Sequence, residues 1–459
     1  MKNLKVILLS VLVISALILL LVEFNKSTNE YLYGFSYRQN KIVNTIRLHK
    51  YGIIGRNITI GIIDAGFYTK HPAFANTRII KEFDFVTNKS TTLNYKHSKG
   101  LDHGTNVFSV VGGYKINDII GIAYGANFIL AKTDKSTYRL AEEEVNAVNG
   151  SKWLFKNGAN IITTSLSFNK FDDANYYFPN QMDGRTALIT RAADSLAGEG
   201  IIYICSAGNN YEEEWHIIEP PGDGFKVLTV GSIDKNLIHS FFSSCGPTID
   251  GRIKPDIVTP GEGTWVANYL PKLKPEYSWS HGTSLSAPIA AGIAALVLSA
   301  HPELFSEQVI EAIKKTSSRA NNPDNLYGLG IPDAEKAVTY FGPAFSNTPE
   351  LIDLGDKLEI RTYAFSSYGL IKSSIELYVK SDNQNQESNY KMKENDEDYY
   401  TCSVNIDISK CKIEFYFKAE DKRGIKTKYP SGILGNYFVC QKTKGQVEII
   451  NSKKNTSSK

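Results

Sequence analysis

Between residues 58 and 340, short apolar runs rich in β-branched residues alternate with segments of helical spacing. The runs predicted to be strands, apolar on both faces, are 58–64, 127–133, 160–166 and 200–206. The segments with helical spacing, each ending near a glycine, are 106–113, 142–158 and 185–200. Strand and helix in alternation predict an α/β fold, with a mostly parallel sheet and helices on both faces. Such sheets bind ligands at the carboxyl ends of their strands.

The pattern changes after Gly342-Pro343. Segments 357–365, 373–381, 399–407 and 411–421 alternate apolar and polar residues, with polar loops between them. This pattern is typical of antiparallel strands with one wet face, and it predicts a small all-β, sandwich-like domain. The predicted organisation is a lead-in segment at 24–45, an α/β domain at 46–341, a β-domain at 345–441 and a polar tail at 442–459.

The N-terminus carries a targeting segment. Lys2 and Lys5 precede an apolar run from Val6 to Val22, near the lower length limit of a membrane span. Residues 1–23 are therefore predicted to be a signal peptide or an N-terminal membrane anchor, and the absence of a clear small-x-small cleavage site leaves both open. In either case the positive residues place the rest of the chain outside the cytoplasm, secreted, in the cell envelope or membrane-anchored facing outward.

Composition and charge limit the kinds of partner and scaffold expected for this protein. A net charge of +3, with 51 basic residues spread along the chain, gives no electrostatic footprint for nucleic acid. The five cysteines show no metal-ligand spacing, and this odd, low count excludes a disulfide-built scaffold. Cys205 is predicted to be a buried core thiol. Cys402 and Cys411 flank a predicted hairpin and are close enough in sequence to pair in an oxidising compartment.

Three residues fall where such a sheet gathers its ligand-facing side chains. Asp64 ends the first predicted strand, His103 begins a helix after a loop, and Ser284 begins a small-residue helix. Each alone has a structural interpretation, as a cap, a turn residue or a core histidine. Their joint occurrence is much less probable by chance, and it indicates a catalytic site.

Four blocks containing these residues carry a family resemblance. They are "GIIDAGF" around Asp64, "HGT" from His103, "GTSLSAP" around Ser284 and "ICSAGNN" with Asn209. In these blocks and in their order Asp…His…Ser, the chain resembles the subtilisin-like serine peptidases, which show this order. A further segment at 242–261 is similar to one that these enzymes carry before the serine. The resemblance covers about residues 34 to 340.

The resemblance implies a serine endopeptidase with an Asp-His-Ser triad and an acyl-enzyme intermediate. Ser284 would attack the peptide carbonyl, and His103 would take its proton and return it to the leaving amine. Asp64 would fix the His103 tautomer without becoming protonated. The Ser284 backbone N–H and the Asn209 side-chain amide would stabilise the oxyanion.

The same resemblance implies the substrate contacts. Ser165, Leu166 and Ser167 would pair with an extended peptide as an added strand. Ser206, Ala207 and Gly208 would form one wall of the pocket that receives the side chain of the residue before the cut. Small residues in that wall predict room for a sizeable apolar side chain.

The chain departs from the family pattern at several points. Asn106 stands where many relatives carry a second histidine, and Ser167 where glycine is common. His281 is interpreted as a rim residue rather than the base, because it shares a block with Ser284. The lead-in is too short for a folded inhibitory prosegment, so the domain either folds without one or uses residues 33–55 only to pack against itself.

We predict no required cofactor and no metal ligands, protein or peptide substrates, and a monomer. The acidic segment 171–175 is a candidate calcium site because oxygen ligands suit that cation, although a solvated loop is the favoured interpretation. The competing hypothesis is a catalytically silent surface scaffold that binds partners through its β-domain. Retention of all three triad residues and Asn209 argues against it.

Overall fold

The computed structural model describes residues 30–93, 101–135, 141–172, 177–213, 215, 217–269, 276–382, 386–432, 435–443 and 445–450. The helices of the described part are α1 Tyr37–Ile42, α2 Ile46–Lys50, α3 Leu101–Gly112, α4 Ala141–Lys156, α5 Leu188–Gly198, α6 Thr283–Ala300, α7 Ser306–Lys315 and α8 Ala334–Val338. The strands up to α6 are β1 Thr59–Asp64, β2 Arg78–Asp84, β3 Tyr114–Lys115, β4 Ile119–Ile120, β5 Asn127–Lys132, β6 Ile161–Thr164, β7 Ile202–Ser206, β8 Leu228–Ile233, β9 Ile257–Pro260, β10 Glu262–Ala267 and β11 Tyr277–His281.

Seven of these strands form one sheet in the order β2-β5-β1-β6-β7-β8-β9, and all neighbours are parallel. Helices α3 and α6 cover one face, and α4 and α5 cover the other. In β1, Ile60 and Ile62 face the first core and Ile63 faces the second. This double burial explains the unbroken apolar run of the strand and confirms the predicted α/β class.

One glycine of β1 sets how closely α4 approaches the sheet. A Cβ atom on Gly61 would lie 2.9 Å from a methyl group of Leu154 in α4. Glycine at this position therefore lets the helix pack directly on the strand that ends at Asp64. The position of Asp64 is fixed by packing on both faces of its strand.

The lead-in packs against the α/β domain through buried polar contacts. The Asn40 amide donates to the Ile120 carbonyl at 2.8 Å. The buried His49 ring lies 2.8 Å from the Tyr33 hydroxyl at Nδ1 and 2.8 Å from the Ile122 carbonyl at Nε2. Burial lowers the pKa of His49 to about 4, so the ring is neutral at physiological pH. This segment thus belongs to the fold of the domain.

The C-terminal region consists of two antiparallel sheets around one core. Its strands are β12 Ala344–Phe345, β13 Glu350–Asp353, β14 Leu358–Phe365, β15 Glu376–Ser381, β16 Ser388–Lys391, β17 Lys393–Asp396, β18 Tyr399–Val404, β19 Ile413–Glu420, β20 Lys426–Tyr429, β21 Phe438–Thr443 and β22 Gln446–Ile450. Ile360 of the first sheet and Leu377 and Phe415 of the second share this core. The predicted tail at 442–459 is wrong in its start, because β22 pairs with β21 along its whole length.

Aromatic and polar contacts join the α/β domain to the C-terminal β-region. Tyr51 stacks on Tyr363 of β14 with ring centroids 4.4 Å apart, and its hydroxyl donates to Asp398 at 2.7 Å. Asn347 accepts from the Ile54 backbone N–H at 3.0 Å. It also donates to the carbonyl of Ser299, at the end of α6, at 3.1 Å. Both regions therefore share buried contacts near the C-terminal end of α6.

Two further predictions can be compared with the described residues. All five cysteines are free, so Cys402 and Cys411 do not form the pair considered from the sequence. Cys205 is fully buried as predicted, and burial raises the pKa of its thiol to about 12. Within the candidate calcium segment, 173–175 lie outside the described residues. The part of the chain that the structure describes holds no group of three acidic, histidine or cysteine side chains suited to a metal ion.

One described helix, Thr283–Ala300, has the length and apolarity of a membrane span. It is completely buried inside the protein, which identifies it as a core helix rather than a span. The predicted leader at 1–23 lies outside the described residues.

Candidate active site

The site is built on the central strands. Asp64 ends β1, Ser165 follows β6 and Asn209 follows β7. These three strands are neighbours in the sheet and run parallel, so their carboxyl ends open onto the same edge. The first turns of α3 and α6 bring His103 and Ser284 to that edge.

His103 and Asp64 are directly hydrogen-bonded. His103 Nδ1 lies 2.7 Å from Asp64 Oδ1, and the Asp64 side chain is completely buried while the histidine side chain is 39% exposed. The Ala65 backbone N–H also donates to Asp64 Oδ1, at 2.7 Å. A carboxylate held in this way fixes the imidazole with its proton on Nδ1 and leaves Nε2 as the basic nitrogen.

The glycine of "HGT", Gly104, is required for steric reasons. A Cβ atom on Gly104 would lie 2.0 Å from the Gly66 carbonyl oxygen and 3.1 Å from Asp64 Oδ1. Separations under 3 Å are not tolerated by a backbone oxygen, so any larger residue would push α3 away from the end of β1. Gly104 therefore maintains the contact between His103 and Asp64.

Ser284 lies in the first turn of the 18-residue helix α6, after Gly282 with φ 137°. Its backbone N–H is one of the first four of the helix, which have no partner within the helix. Its hydroxyl donates to the Ser165 carbonyl at 3.1 Å, and the Ser165 hydroxyl donates back to the Ser284 carbonyl at 2.7 Å. Among the described residues the hydroxyl bonds to Ser165 rather than to His103.

Thr283 orients the Asn209 amide. The Thr283 backbone N–H donates to Asn209 Oδ1 at 2.9 Å, and the Thr283 hydroxyl lies 3.0 Å from the same oxygen. Since Oδ1 is occupied in this way, Nδ2 is the group left to face the cleft. A Cβ atom on Gly282 would lie 3.7 Å from Ser284 N and 3.8 Å from Asn209 Nδ2, so the two donors flank one small space.

A cleft of about 440 Å³ joins these groups. Its described lining residues are Ala65, His103, Asp134, Ser165, Leu166, Ser167, Asn169, Lys170, Asn209, Asn210, Glu213, Glu219 and Ser284. The structure therefore brings together His103, Ser284 and Asn209 with the predicted 165–167 segment, and Asp64 lies directly behind His103.

Residues 206–208, which the sequence predicts to form one wall of the pocket, are not among the described residues that line the cleft. Ser206 and Ala207 are buried, and Ala207 bonds to the neighbouring strand and to the Glu219 backbone. Among the described residues, the cleft surface beside them comes from Asn209, Asn210 and Glu219 instead. The reason is that β7 extends through Ser206 and the Ala207 backbone N–H donates to the Val230 carbonyl of β8, so these two residues lie within the sheet layer.

His103 has the electrostatics of a base close to a carboxylate. Burial alone would lower the pKa of the ring, but the charge of Asp64 and its hydrogen bond outweigh burial and raise this pKa above its ordinary value. Asp102 and Asp134 act in the same direction. The acidic surroundings therefore stabilise the imidazolium form.

The structure shows the contacts of His281 and Asn106, two residues singled out in the comparison with the family pattern. His281, at the end of β11, is exposed, and its Nδ1 accepts from the Gly263 backbone N–H at 3.2 Å. Asn106 donates to the Ala267 carbonyl at 2.7 Å and to Asn268 Oδ1 at 3.0 Å. Asn106 therefore ties α3 to β10, and the described contacts of both side chains lie away from the Asp64 carboxylate.

Sequence reasoning missed two residues of the site, Thr283 and Glu219. Thr283 is adjacent to the predicted nucleophile, and its position in "HGTS" is a signal that could have been used. Glu219 lies in a loop ten residues after Asn209, and the local sequence carries no indication that its carboxylate reaches the cleft.

Comparison with known proteins defines the class. The sequence profile of the subtilase family (Peptidase_S8) matches residues 55–330, more than half of the chain. The chain belongs to the subtilase family, which confirms the resemblance found in the sequence and makes the protein a serine-type endopeptidase.

Individual relatives agree with this placement. Serine protease AprX of Bacillus subtilis (strain 168) is 30% identical over 316 residues, which are 62% of this chain and 67% of that protein. Subtilisin DY of Bacillus licheniformis is 26% identical over 65% of this chain and 96% of its own length. The MycP3 protease from the type VII (ESX-3) secretion system shares the fold, with a TM-score of 0.53, 21% identity, and coverage of 66% of this chain and 88% of that one.

Proposed function

We propose that this chain is an extracytoplasmic serine endopeptidase in which Ser284, His103 and Asp64 form the catalytic triad. The observation that carries the proposal is the 2.7 Å hydrogen bond between His103 and Asp64, in a cleft that His103 and Ser284 line together. That arrangement supplies a nucleophile, a base and a group that orients the base.

The mechanism starts from the observed state of the serine. The Ser284 hydroxyl rotates from the Ser165 carbonyl toward His103 Nε2, which accepts its proton as the oxygen attacks the peptide carbonyl. The imidazolium so formed is stabilised by Asp64 and then protonates the leaving amine. Water repeats the sequence in reverse, with His103 as base, to release the acyl group from Ser284.

The oxyanion is proposed to bind between Ser284 N–H and Asn209 Nδ2. Both groups are fixed before the substrate arrives, the first by the start of α6 and the second by Thr283. Donors that need no reorganisation stabilise developing charge more effectively than mobile ones. A substrate strand is proposed to lie along residues 165–167, which line the same cleft.

The remaining features set the context of the activity. The positively charged, apolar N-terminus supports export of the domain, with the leader either removed or kept as an anchor. The contacts of Tyr51 with Tyr363 and Asp398 support a stabilising role for the β-region. We propose a monomer that acts on proteins or peptides and requires no cofactor.

Covalent labelling by a fluorophosphonate probe tests this function. The intact protein should be labelled on Ser284, and Ser284→Ala should abolish both labelling and the cleavage of an unfolded protein such as casein. Ser280→Ala, a serine of β11 in the same sequence block, is the matched control and should remain labelled. Absence of labelling in the folded wild-type protein would favour the scaffold hypothesis.

A further inference from the structure

Five large apolar side chains lie exposed in one area, where the lead-in meets the α/β domain. Tyr31 and Phe35 of the lead-in are 68% and 62% exposed, and Trp279 of β11 is 43% exposed. Leu32 of the lead-in and Ile116, in the turn between β3 and β4, are exposed as well. We call these five residues the lead-in patch. An exposed apolar group of this kind on a folded domain marks an interaction surface.

Ring contacts join the aromatic members of the patch. The Phe35 ring lies 5.5 Å from the Trp279 ring and 4.9 Å from the partly buried Trp265 ring, measured between centroids. The Arg38 guanidinium lies over the Trp279 ring, 4.6 Å from its centroid. Tyr31, Phe35 and Trp279 line one open cavity of about 570 Å³. The lead-in and the paired strands β10 and β11 therefore present one continuous surface.

The backbone places the aliphatic members of the patch side by side. The Asn117 backbone N–H, one residue after Ile116, donates to the Leu32 carbonyl at 2.9 Å. A Cβ atom on Gly34 would lie 2.5 Å from the Asn117 carbonyl oxygen, so only glycine allows this approach. Gly34 also has φ 55°, in the region that favours glycine. The lead-in is therefore packed closely against this turn, and the patch is part of the fold.

The residue types of the patch match the layer where a bilayer meets water. Tyrosine and tryptophan are enriched in that layer, because each ring has an apolar body and a polar tip. Arginine suits the same layer, since its stem is apolar and its charged head stays hydrated. The apolar side chains of Leu32, Phe35 and Ile116 add area that lipid can cover. A lipid surface is therefore the partner whose chemistry the patch fits.

A short length of chain connects the patch to the predicted membrane segment. The apolar run ends at Val22, and the first described residue is Glu30, which lines the same cavity as Tyr31. The eight steps of chain from Val22 to Glu30 span at most about 28 Å. The patch therefore lies where the chain enters the domain from that segment.

We propose that residues 6–22 stay in the membrane and that the lead-in patch rests in the interfacial layer of the same bilayer. This inference rests on the export of the domain in the proposed function, and it takes the anchor rather than the cleaved leader. The rings of Tyr31, Phe35 and Trp279 exchange contact with water for contact with lipid headgroups and the upper acyl chains. One span and one adsorbed surface together fix the orientation of the domain, whereas a span alone leaves it free to pivot.

This orientation bears on the active site. Trp279 of β11 precedes Ser284 by five residues, which span at most about 17 Å of chain. The contact with lipid therefore holds the nucleophile close to the membrane surface.

The test uses the full-length Ser284→Ala protein, to prevent self-cleavage, in phosphatidylcholine vesicles whose acyl chains are brominated near the headgroups. Bromine quenches tryptophan fluorescence only at close range. Fluorescence should fall by roughly a quarter relative to vesicles without bromine, since one of the four tryptophans is placed at the interface. Trp279→Phe should remove most of that fall. Trp153→Phe should keep it, because Trp153 packs against Phe83 and Phe85 outside the patch.

Variants that leave every tryptophan in place locate the contact. Tyr31→Ser together with Phe35→Ser should reduce the quenching to about half or less, because two of the three rings no longer enter the interface. Phe178→Ser is the matched control, since Phe178 is 64% exposed outside the patch, and it should leave the quenching unchanged. A thermal unfolding scan identifies any variant that fails to fold, in which case Trp279→Phe decides.

Three results would overturn the proposal. They are quenching no greater in the starting protein than in Trp279→Phe, quenching that survives the double serine substitution, and N-terminal sequencing that shows residues 1–23 removed from the purified protein. Shielding of Trp279 from acrylamide without quenching by brominated lipid would assign the patch to the leader itself or to a second copy, and would overturn it too. None of these measurements uses enzyme activity, so failed fluorophosphonate labelling would count against the triad alone.

Discussion

The imidazole of His103 is hydrogen-bonded through Nδ1 to Oδ1 of Asp64 at 2.7 Å, and the Asp64 side chain is completely buried. The two residues are 39 positions apart in the chain and come from different elements, β1 and α3. Their contact depends on the close approach at Gly104 and on the Gly66 carbonyl beneath it. The pairing is therefore a product of backbone packing as well as of charge.

Asp64→Asn should reduce kcat about 10⁴-fold, as expected when the carboxamide selects the wrong imidazole tautomer. The measurement is kcat on a peptide substrate, with protein concentration set from the folded fraction. Asp102→Asn is the matched control, because Asp102 accepts from the His103 backbone N–H at 2.9 Å rather than from the ring. A loss as large in the control would show that charge near His103, rather than the ring contact, matters.

The pH dependence of kcat/KM should have an acid limb with a midpoint above 6.5, the ordinary pKa of histidine. Burial alone would lower the pKa of His103, but Asp64 raises it, and the base must be neutral to act. Asp102→Asn should move the midpoint to lower pH, since the Asp102 charge also raises this pKa. Because the pKa of His103 is raised in the folded state, the Asp64–His103 pair should stabilise the fold most below pH 6.5, and less as pH rises through the raised pKa. A midpoint below 6.5 in the wild-type enzyme would contradict this electrostatic arrangement.

Asn209→Ala should reduce kcat about 10²–10³-fold, a range measured on subtilisin, itself a member of this family, rather than derived from this structure. Thr283→Val should cause a smaller loss in kcat with little change in KM, because it removes the hydroxyl that lies 3.0 Å from Asn209 Oδ1 but keeps the backbone donor. Thr283→Ser keeps that hydroxyl and should restore most of the activity. An equal loss in the serine variant would point to packing of the methyl group.

Asp256→Asn should destabilise the fold by about 3–5 kcal/mol at pH 7, because it leaves a buried cation without its partner. Asp256 accepts from Lys254 Nζ at 2.6 Å and from Lys314 Nζ at 2.7 Å, and Lys254 is itself buried. Burial alone would raise the pKa of Asp256, but the two lysine charges lower it to about 2. The stabilisation is thus present above about pH 4 and is lost as pH falls toward 2.

Urea unfolding of wild-type and Asp256→Asn proteins at pH 7 and at pH 3 measures this difference. Asp250→Asn is the control, since the Asp250–Arg252 pair is partly exposed and is worth at most about 1 kcal/mol. A gap between wild type and Asp256→Asn that stays constant down to pH 2 would contradict the assigned charge state.

The fold class and the residues of the proposed triad were predictable from the sequence because both depend on local patterns. Strands apolar on both faces, such as 58–64, indicate a parallel sheet, and residues at their carboxyl ends fall at one edge by topology. The end of the C-terminal region was not predictable. The last strand, Gln446–Ile450, is a short segment of alternating polar and apolar residues. It pairs with β21, and Val447 and Ile449 pack against the core of the β-region.

By itself the sequence determined which side chains can perform the chemistry and in which order the strands present them, since periodicity and residue type are properties of the chain. Only the tertiary structure decided how those side chains are held and what surrounds them. Thr283 orients Asn209, and Glu219 enters the cleft from a separate loop, through contacts between segments with no fixed spacing in sequence. The physical reason is that distances across a packed core depend on the close approach of whole elements, as at Gly61 and Gly104, which no local pattern encodes.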